Sequence, residues 1–432
     1  MKKCLFTVTA LYLLSCTPEI ESTDPFSGDL DVQNVLIIGD SYSAGLSNAA
    51  LSEDDMNNSP SQGIINAFAS IGISNINSAE LESDLKIGFT DSVFHSAFNL
   101  EEWVDCLGDT ITFPRKIEKD IPAGNWFSPA ENTFVNNISL PGLTPDIFID
   151  PFVFADISQK PFVQSFFNDT IQSFLHYLAD FTADFVYLNI GTEMIVDNIL
   201  KGSLQSLLSP AEFANAVEVL LDSIYTENNF GAIATIPDVL DFPFFHVVQW
   251  NGLELDEEQA QLLTQVSPLN YDYQKGNNPF LLKGKNAEGN RFATENDFIL
   301  FSLPLERVKC NFLGSLSPLP TQYYLDLEEQ QFLQNRINQY NAELNRIALE
   351  YNYALVDFHA LFKKIGSGYL EKGIDFNFDY LTGQFFSLDG LYPTHRGYGL
   401  IINEIVSSIN KKYQSGLKGV NITGRKSIIF PD

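Results

Sequence analysis

The chain has 432 residues, beyond the usual span of about 100–200 for one domain, and its 45% hydrophobic content, with 36 Phe and 17 Tyr, excludes a disordered polypeptide. Its 55 Asp and Glu against 25 Lys and Arg give a formal net charge of -30, spread along the sequence. Phosphate binding needs clustered cations, so nucleic acid is excluded as a partner and the acidic surface reads as a solvated one.

Residues 1–15, MKKCLFTVTALYLLS, carry two lysines followed by an apolar run too short to span a bilayer but suited to a signal peptide. The ending Leu13-Leu14-Ser15-Cys16 resembles a lipobox, which implies cleavage before Cys16, lipidation of its thiol and a membrane anchor. The acidic stretch 16–32 then reads as a flexible tether. Cys4 leaves with the signal, and Cys106 and Cys310 are left either as one disulfide or as two buried thiols.

NVLII (34–38) is a β-branched apolar run that breaks at Gly39-Asp40-Ser41, the pattern of a buried strand ending in a turn. A helical segment around 164–180 precedes a second such run, DFVYLNI (184–190), which ends at Gly191. The amphipathic AEFANAVEVLLDSIY (211–225) precedes a third, GAIATI (231–236), closed by Pro237-Asp238. The spacing of Phe332, Leu333, Ile337, Tyr340, Leu344, Ile347 and Tyr351 predicts a helix over 327–351 with Asp326 as N-cap, leading into the strand YALVD (353–357). A last helix begins near Arg396 and lines up Ile401, Ile402, Ile405 and Ile409 before Gly416.

Strands alternating with helices predict an α/β fold with a parallel sheet covered on both faces and ligands at the carboxyl ends of its strands. The intervals 46–135 and 240–323 interrupt the alternation and read as loops and caps. No internal repeat is present. The five histidines are scattered and no CxxC pair occurs, so no metal site is expected.

LIIGDSYSAG (36–45), NNISLPGLTP (136–145) and IPDV (236–239) resemble blocks of the SGNH/GDSL hydrolase superfamily, and the resemblance covers most of residues 33–413, with 414–432 as a tail. It is strongest to lipid-anchored members of Bacteroidetes-type bacteria. It implies a three-layer α/β/α sandwich with Ser41 as nucleophile, the Ser41 and Gly142 N–H groups as oxyanion donors, and Asp389 as the residue that orients the base. It implies no cofactor, and as substrates acyl or acetyl esters of lipids or glycans. With the lipobox it also implies a place in the cell envelope, at the outer membrane on either face.

Two blocks depart from that pattern. The third, expected as Gly-x-Asn-Asp, reads Gly191-Thr192-Glu193-Met194, so a carboxylate replaces the oxyanion-binding amide. The fifth, expected as Asp-x-x-His-Pro, reads Asp389-Gly390-Leu391-Tyr392-Pro393, so Tyr392 replaces the base. Losing one oxyanion donor costs about 2.7–4 kcal/mol of barrier, and only a protonated Glu193 would donate instead. A phenol with an ordinary pKa near 10 does not accept the serine proton at neutral pH. His395, three residues on, is the candidate surrogate base, and His359 a second.

Two readings of function follow. In one, the chain is a serine esterase that uses His395; in the other, a non-catalytic lipoprotein that binds lipid or glycan on a degenerate hydrolase fold. Protein partners are not specified by the sequence.

Overall fold

The computed structural model describes residues 24–81, 87–88, 95–118, 127–128, 134–158, 166–167, 171–179, 181–226, 229–285 and 289–428. The signal peptide, Cys16 and a minor part of the 164–180 segment lie outside these residues; within that segment a helix covers Phe174–Leu178.

Five strands form one sheet: β1 (Val35–Gly39), β2 (Asn137–Ser139), β3 (Phe185–Asn189), β4 (Phe230–Ala234) and β5 (Ala354–Val356). Every pairing is parallel and the spatial order is β5-β4-β3-β1-β2. All five residues of β1 and of β3 are buried, which is why both read as continuous apolar runs without alternation. The protein is therefore α/β with a five-stranded parallel sheet.

The chain moves one way along the sheet from β1 to β2 and the other way from β3 through β4 to β5. Right-handed crossovers put those connections on opposite faces. The helices segregate accordingly: α3 (Pro60–Ala69) packs on α8 (His395–Tyr413), and α5 (Pro210–Ile224) on α6 (Leu327–Glu350). Gly63 lies directly against Ile402 in the first pair, and the Phe213 and Tyr340 rings stack at 4.3 Å in the second. Capping boxes at Ser209/Glu212 and Asp326/Glu329 start α5 and α6 by satisfying the free amides of the first turn. Among the described residues no helix is long and apolar enough to cross a membrane.

Three expectations are revised. Residues 24–32 are docked and not free: Leu30 and Val32 are buried, the Asp29 N–H donates to the Tyr413 carbonyl (2.8 Å) and the Gly416 N–H to the Phe26 carbonyl (2.9 Å). Leu30 and Val32 on the core, with the Phe26 ring against Gly416, hold the segment in place. The 46–135 interval is not only loop, because α3 within it buries Ile64 and Phe68. The 240–323 interval holds a small core of its own, with Leu253, Phe280, Leu282 and Ile299 at its centre and Tyr324 at its edge.

The two long intervals are joined. A hairpin of His95–Val104 and Thr110–Glu118 carries Cys106 at its turn, and this residue is disulfide-bonded to Cys310 in the helix Leu305–Asn311, with Cα atoms 6.2 Å apart. Lys309 from the same helix pairs with Asp105 and Asp109 of the turn. The disulfide alternative for these cysteines is thus the one found.

Candidate functional site

Register places the site. Gly39 is the partner of Ser139 on one side and of Asn189 on the other, so the turns that follow β1, β2 and β3 emerge side by side at the carboxyl edge of the sheet. This is where the strand order reverses, the usual location of a ligand crevice in an open α/β sheet.

After β1, Asp40 caps the short helix α1 (Ser41–Ala44), its carboxylate accepting from the Tyr42 N–H at 3.0 Å. After β2, Leu140-Pro141-Gly142-Leu143 forms a tight turn closed by the Leu143 N–H donating to the Leu140 carbonyl (3.1 Å). Proline sits second and Gly142 third with φ +83°, the residue pattern of a type II turn. After β3, Gly191 begins α4 (Thr192–Lys201) with φ +107°, and a Cβ there would stand 2.7 Å from the Ile236 side chain. Ser41, Gly142 and Glu193 are therefore carried on neighbouring strand ends, as their sequence blocks suggest.

Chemistry does not follow from that placement. Ser41 has 0% exposure, and its hydroxyl makes no well-formed hydrogen bond, the Tyr392 phenol being the side chain it interacts with. The Tyr392 hydroxyl, in the position expected for the base, donates to Glu193 Oε2 at 3.3 Å, and its ring packs on Tyr42 at 5.1 Å between centroids. Tyr42 is itself fixed by donating to the Leu391 carbonyl at 2.6 Å. Burial, then the negative charges of Glu193 and Asp389, push the Tyr392 phenol well above its ordinary range, away from a proton-accepting phenolate.

Below them, the Glu193 N–H donates to Asp40 Oδ2 at 3.1 Å. Asp40 is fully buried, and its pKa is raised from 3.8 to about 8 by burial and, next, by the charge of Glu193. The serine thus faces a buried phenol and two acidic side chains.

Asp389 orients no imidazole. Its carboxylate accepts from the backbone N–H groups of Leu391 (2.7 Å), Tyr392 (2.8 Å) and Ala49, and from the Ser387 hydroxyl (3.1 Å). It braces the 387–392 turn against residues 48–49, both in the left-handed region at φ +55° and +56°. Burial raises its pKa, opposed by these same donors.

Nor does His395 serve Ser41. As the first residue of α8 it turns to the other side of the Asp389 loop, where its Nε2 lies 2.6 Å from Asp55 Oδ1, on α2 (Glu53–Asn57). Tyr392 precedes the Thr394 N-cap and lies off the helix, so no helical turn relates the two side chains, and Asp55 holds the imidazole. His359, on α7 (Phe358–Gly366) directly after β5, is three strands from β1 and roughly 14 Å away at about 4.8 Å per strand, so it does not reach Ser41 either.

Two residues of this region went unread in the sequence. Tyr42 gives no signal of its own. Asp55 does, since Ser52 three residues before it makes an N-cap pattern, and the Ser52 hydroxyl both caps α2 and bonds the Asp55 carboxylate. Among the described residues no group of three or more His, Cys, Asp or Glu is placed to hold a metal ion. No family model and no curated protein matches this chain.

Proposed function

We propose that this chain is an SGNH/GDSL-type protein, an α/β/α sandwich anchored in the cell envelope through Cys16, that binds a lipid or glycan ligand without hydrolysing it. The observation that carries this reading is the baseless serine: Ser41 is fully buried, and the side chain it interacts with is the Tyr392 phenol and not an imidazole. Acyl transfer needs a group to take the hydroxyl proton and donors aimed at the oxyanion. Here the phenol in the base position donates a hydrogen bond to Glu193, and a substrate oxyanion formed by attack of Ser41 would meet a carboxylate in place of an amide donor.

The competing reading, an esterase for acyl or acetyl esters, is supported by the retained Ser41 and Gly142 on adjacent strand ends. Hydrolysis of short-chain nitrophenyl esters by the full chain separates the two, with Ser41→Ala and His395→Ala measured beside it. Equal, background-level rates in all three are expected. Turnover that disappears with Ser41→Ala would establish the esterase and remove the binding reading.

A further inference from the structure

Ser41, Glu193 and Tyr392 are all buried, so a ligand that enters at the strand ends must first displace what holds the 387–392 turn in place. Those supports can be traced bond by bond. A Cβ on Gly390 would stand 2.9 Å from the Phe244 nitrogen, and the Phe244 N–H donates to the Gly390 carbonyl at 3.1 Å. The Phe244 carbonyl in turn accepts from the Phe301 N–H at 3.0 Å. The Phe301 ring packs on Tyr380, 5.2 Å between centroids, and the Tyr380 hydroxyl donates to the Leu388 carbonyl at 2.6 Å. Phe301 also meets Phe98 and Phe113 of the hairpin, at 6.3 and 5.6 Å. Finally, the Phe98 N–H donates to the carbonyl of Asn48 (2.9 Å), and the N–H groups of Asn48 and Ala49 hold the Ser387 hydroxyl and the Asp389 carboxylate. The hairpin thus bears on the turn by two routes, through Phe301 and through Asn48.

The hairpin itself is held unevenly. A lone two-stranded hairpin is marginally stable in water, so its attachments decide its position. A cavity of about 410 Å³ lies between residues 98–101 and α2 with the start of α8, His395 included, and the strand is not packed down along that stretch. At the tip, Val104 and Leu107 on either side of Cys106 are 64% and 55% exposed, so apolar burial does not fix it. The tip is fixed instead to the helix Leu305–Asn311, which begins four residues after Phe301, by the Cys106–Cys310 disulfide and by Lys309 with Asp105 and Asp109. Lys309 is exposed, and ion pairs of an exposed lysine contribute little. The covalent bond is the attachment that matters.

We propose that the hairpin is a redox-sensitive strap: the Cys106–Cys310 bond keeps Phe98 and Phe113 on Phe301 and so holds the 387–392 turn, with Tyr392, against Ser41, and reduction releases that turn. This deepens the binding reading given above and rests on it for the place where a ligand enters. Cys106 is exposed and Cys310 partly so, within reach of an external dithiol. One thiolate of the dithiol attacks a sulfur of the bond, its second thiol resolves the mixed disulfide, and the products are the Cys106 and Cys310 thiols and the dithiol's own disulfide, two electrons and two protons having passed to the protein.

The test is hydrogen–deuterium exchange on the full chain, oxidised and after reduction in place with dithiothreitol, comparing the amides of 387–392 with those of β3. Reduction should speed exchange in 387–392 by about tenfold or more beyond any change in β3, as a local opening does and a global loss of stability does not. Cys106→Ser with Cys310→Ser should show the same selective increase without reductant. Because reduction is applied to the folded protein, it decides the matter if the double variant fails to fold. Exchange in 387–392 that reduction leaves unmoved, or raises only in step with β3, would overturn the proposal. Nitrophenyl-ester turnover is followed in both states. Absence of a selective increase discards the strap and leaves the binding reading standing, whereas Ser41-dependent turnover in either state discards the non-hydrolytic reading and leaves the strap.

Discussion

Asp40 shows how far one buried residue can shift the behaviour of the whole protein. A carboxyl whose native pKa is raised from 3.8 to about 8 holds its proton more tightly folded than unfolded. Its contribution to stability is therefore complete below about pH 4 and is lost as pH rises through about 8, with a slope of at most about 1.4 kcal/mol per pH unit. Asp389, also raised by burial, contributes in the same direction. Urea unfolding between pH 5 and 8.5 should show the unmodified protein losing stability relative to Asp40→Asn as pH rises, and parallel profiles would mean that Asp40 is not protonated. At the neighbouring position, the double change Tyr392→His with Glu193→Asn restores a base and an amide donor. If the strand-end geometry is still hydrolytic in shape, it should confer nitrophenyl-ester turnover that Ser41→Ala abolishes.

What the sequence makes legible at this scale is chemical identity, and what it hides is direction. Ser41, Gly142, Glu193 and Tyr392 are identifiable because short motifs follow recognisable strands. That His395 faces Asp55, and that Asp389 ties its own turn to Ala49, depends on partners about 340 positions away in the chain. No local pattern records such pairings.

Among the elements, those with strong periodicity or caps were readable almost to the residue. The 327–351 expectation stands against α6 at Leu327–Glu350, and NVLII against β1 at Val35–Gly39. The three-residue β2 was not read as a strand, because it is too short to carry a pattern of its own. The hairpin 95–118 and the core of the 240–323 interval were missed for a related reason: their stability comes from each other. The Cys106–Cys310 bond spans 204 residues, and closing so long a loop stabilises a chain by about 2–5 kcal/mol. Reduction, or the pair Cys106→Ser and Cys310→Ser, should lower the thermal midpoint, and the oxidised protein should show no free thiol from these two residues when denatured without reductant. A midpoint that reductant leaves unmoved would mean that the hairpin tip is held by Lys309 and its acidic partners alone.

For the whole molecule, the order β5-β4-β3-β1-β2 puts the first strand in the interior of the sheet and brings the last helix, α8, back onto α3. Both ends of the chain therefore meet on α8. Its first residue lines the cavity with His395, and its last turn receives Asp29 through the Tyr413 carbonyl. With Cys16 as the anchor of the proposed lipoprotein, the leash from the bilayer to the docked Phe26 is ten residues and reaches at most about 36 Å when fully drawn out. The 19 residues of α8 set His395, which binds Asp55, about 28 Å along the helix from the Tyr413 end where the 26–30 segment docks.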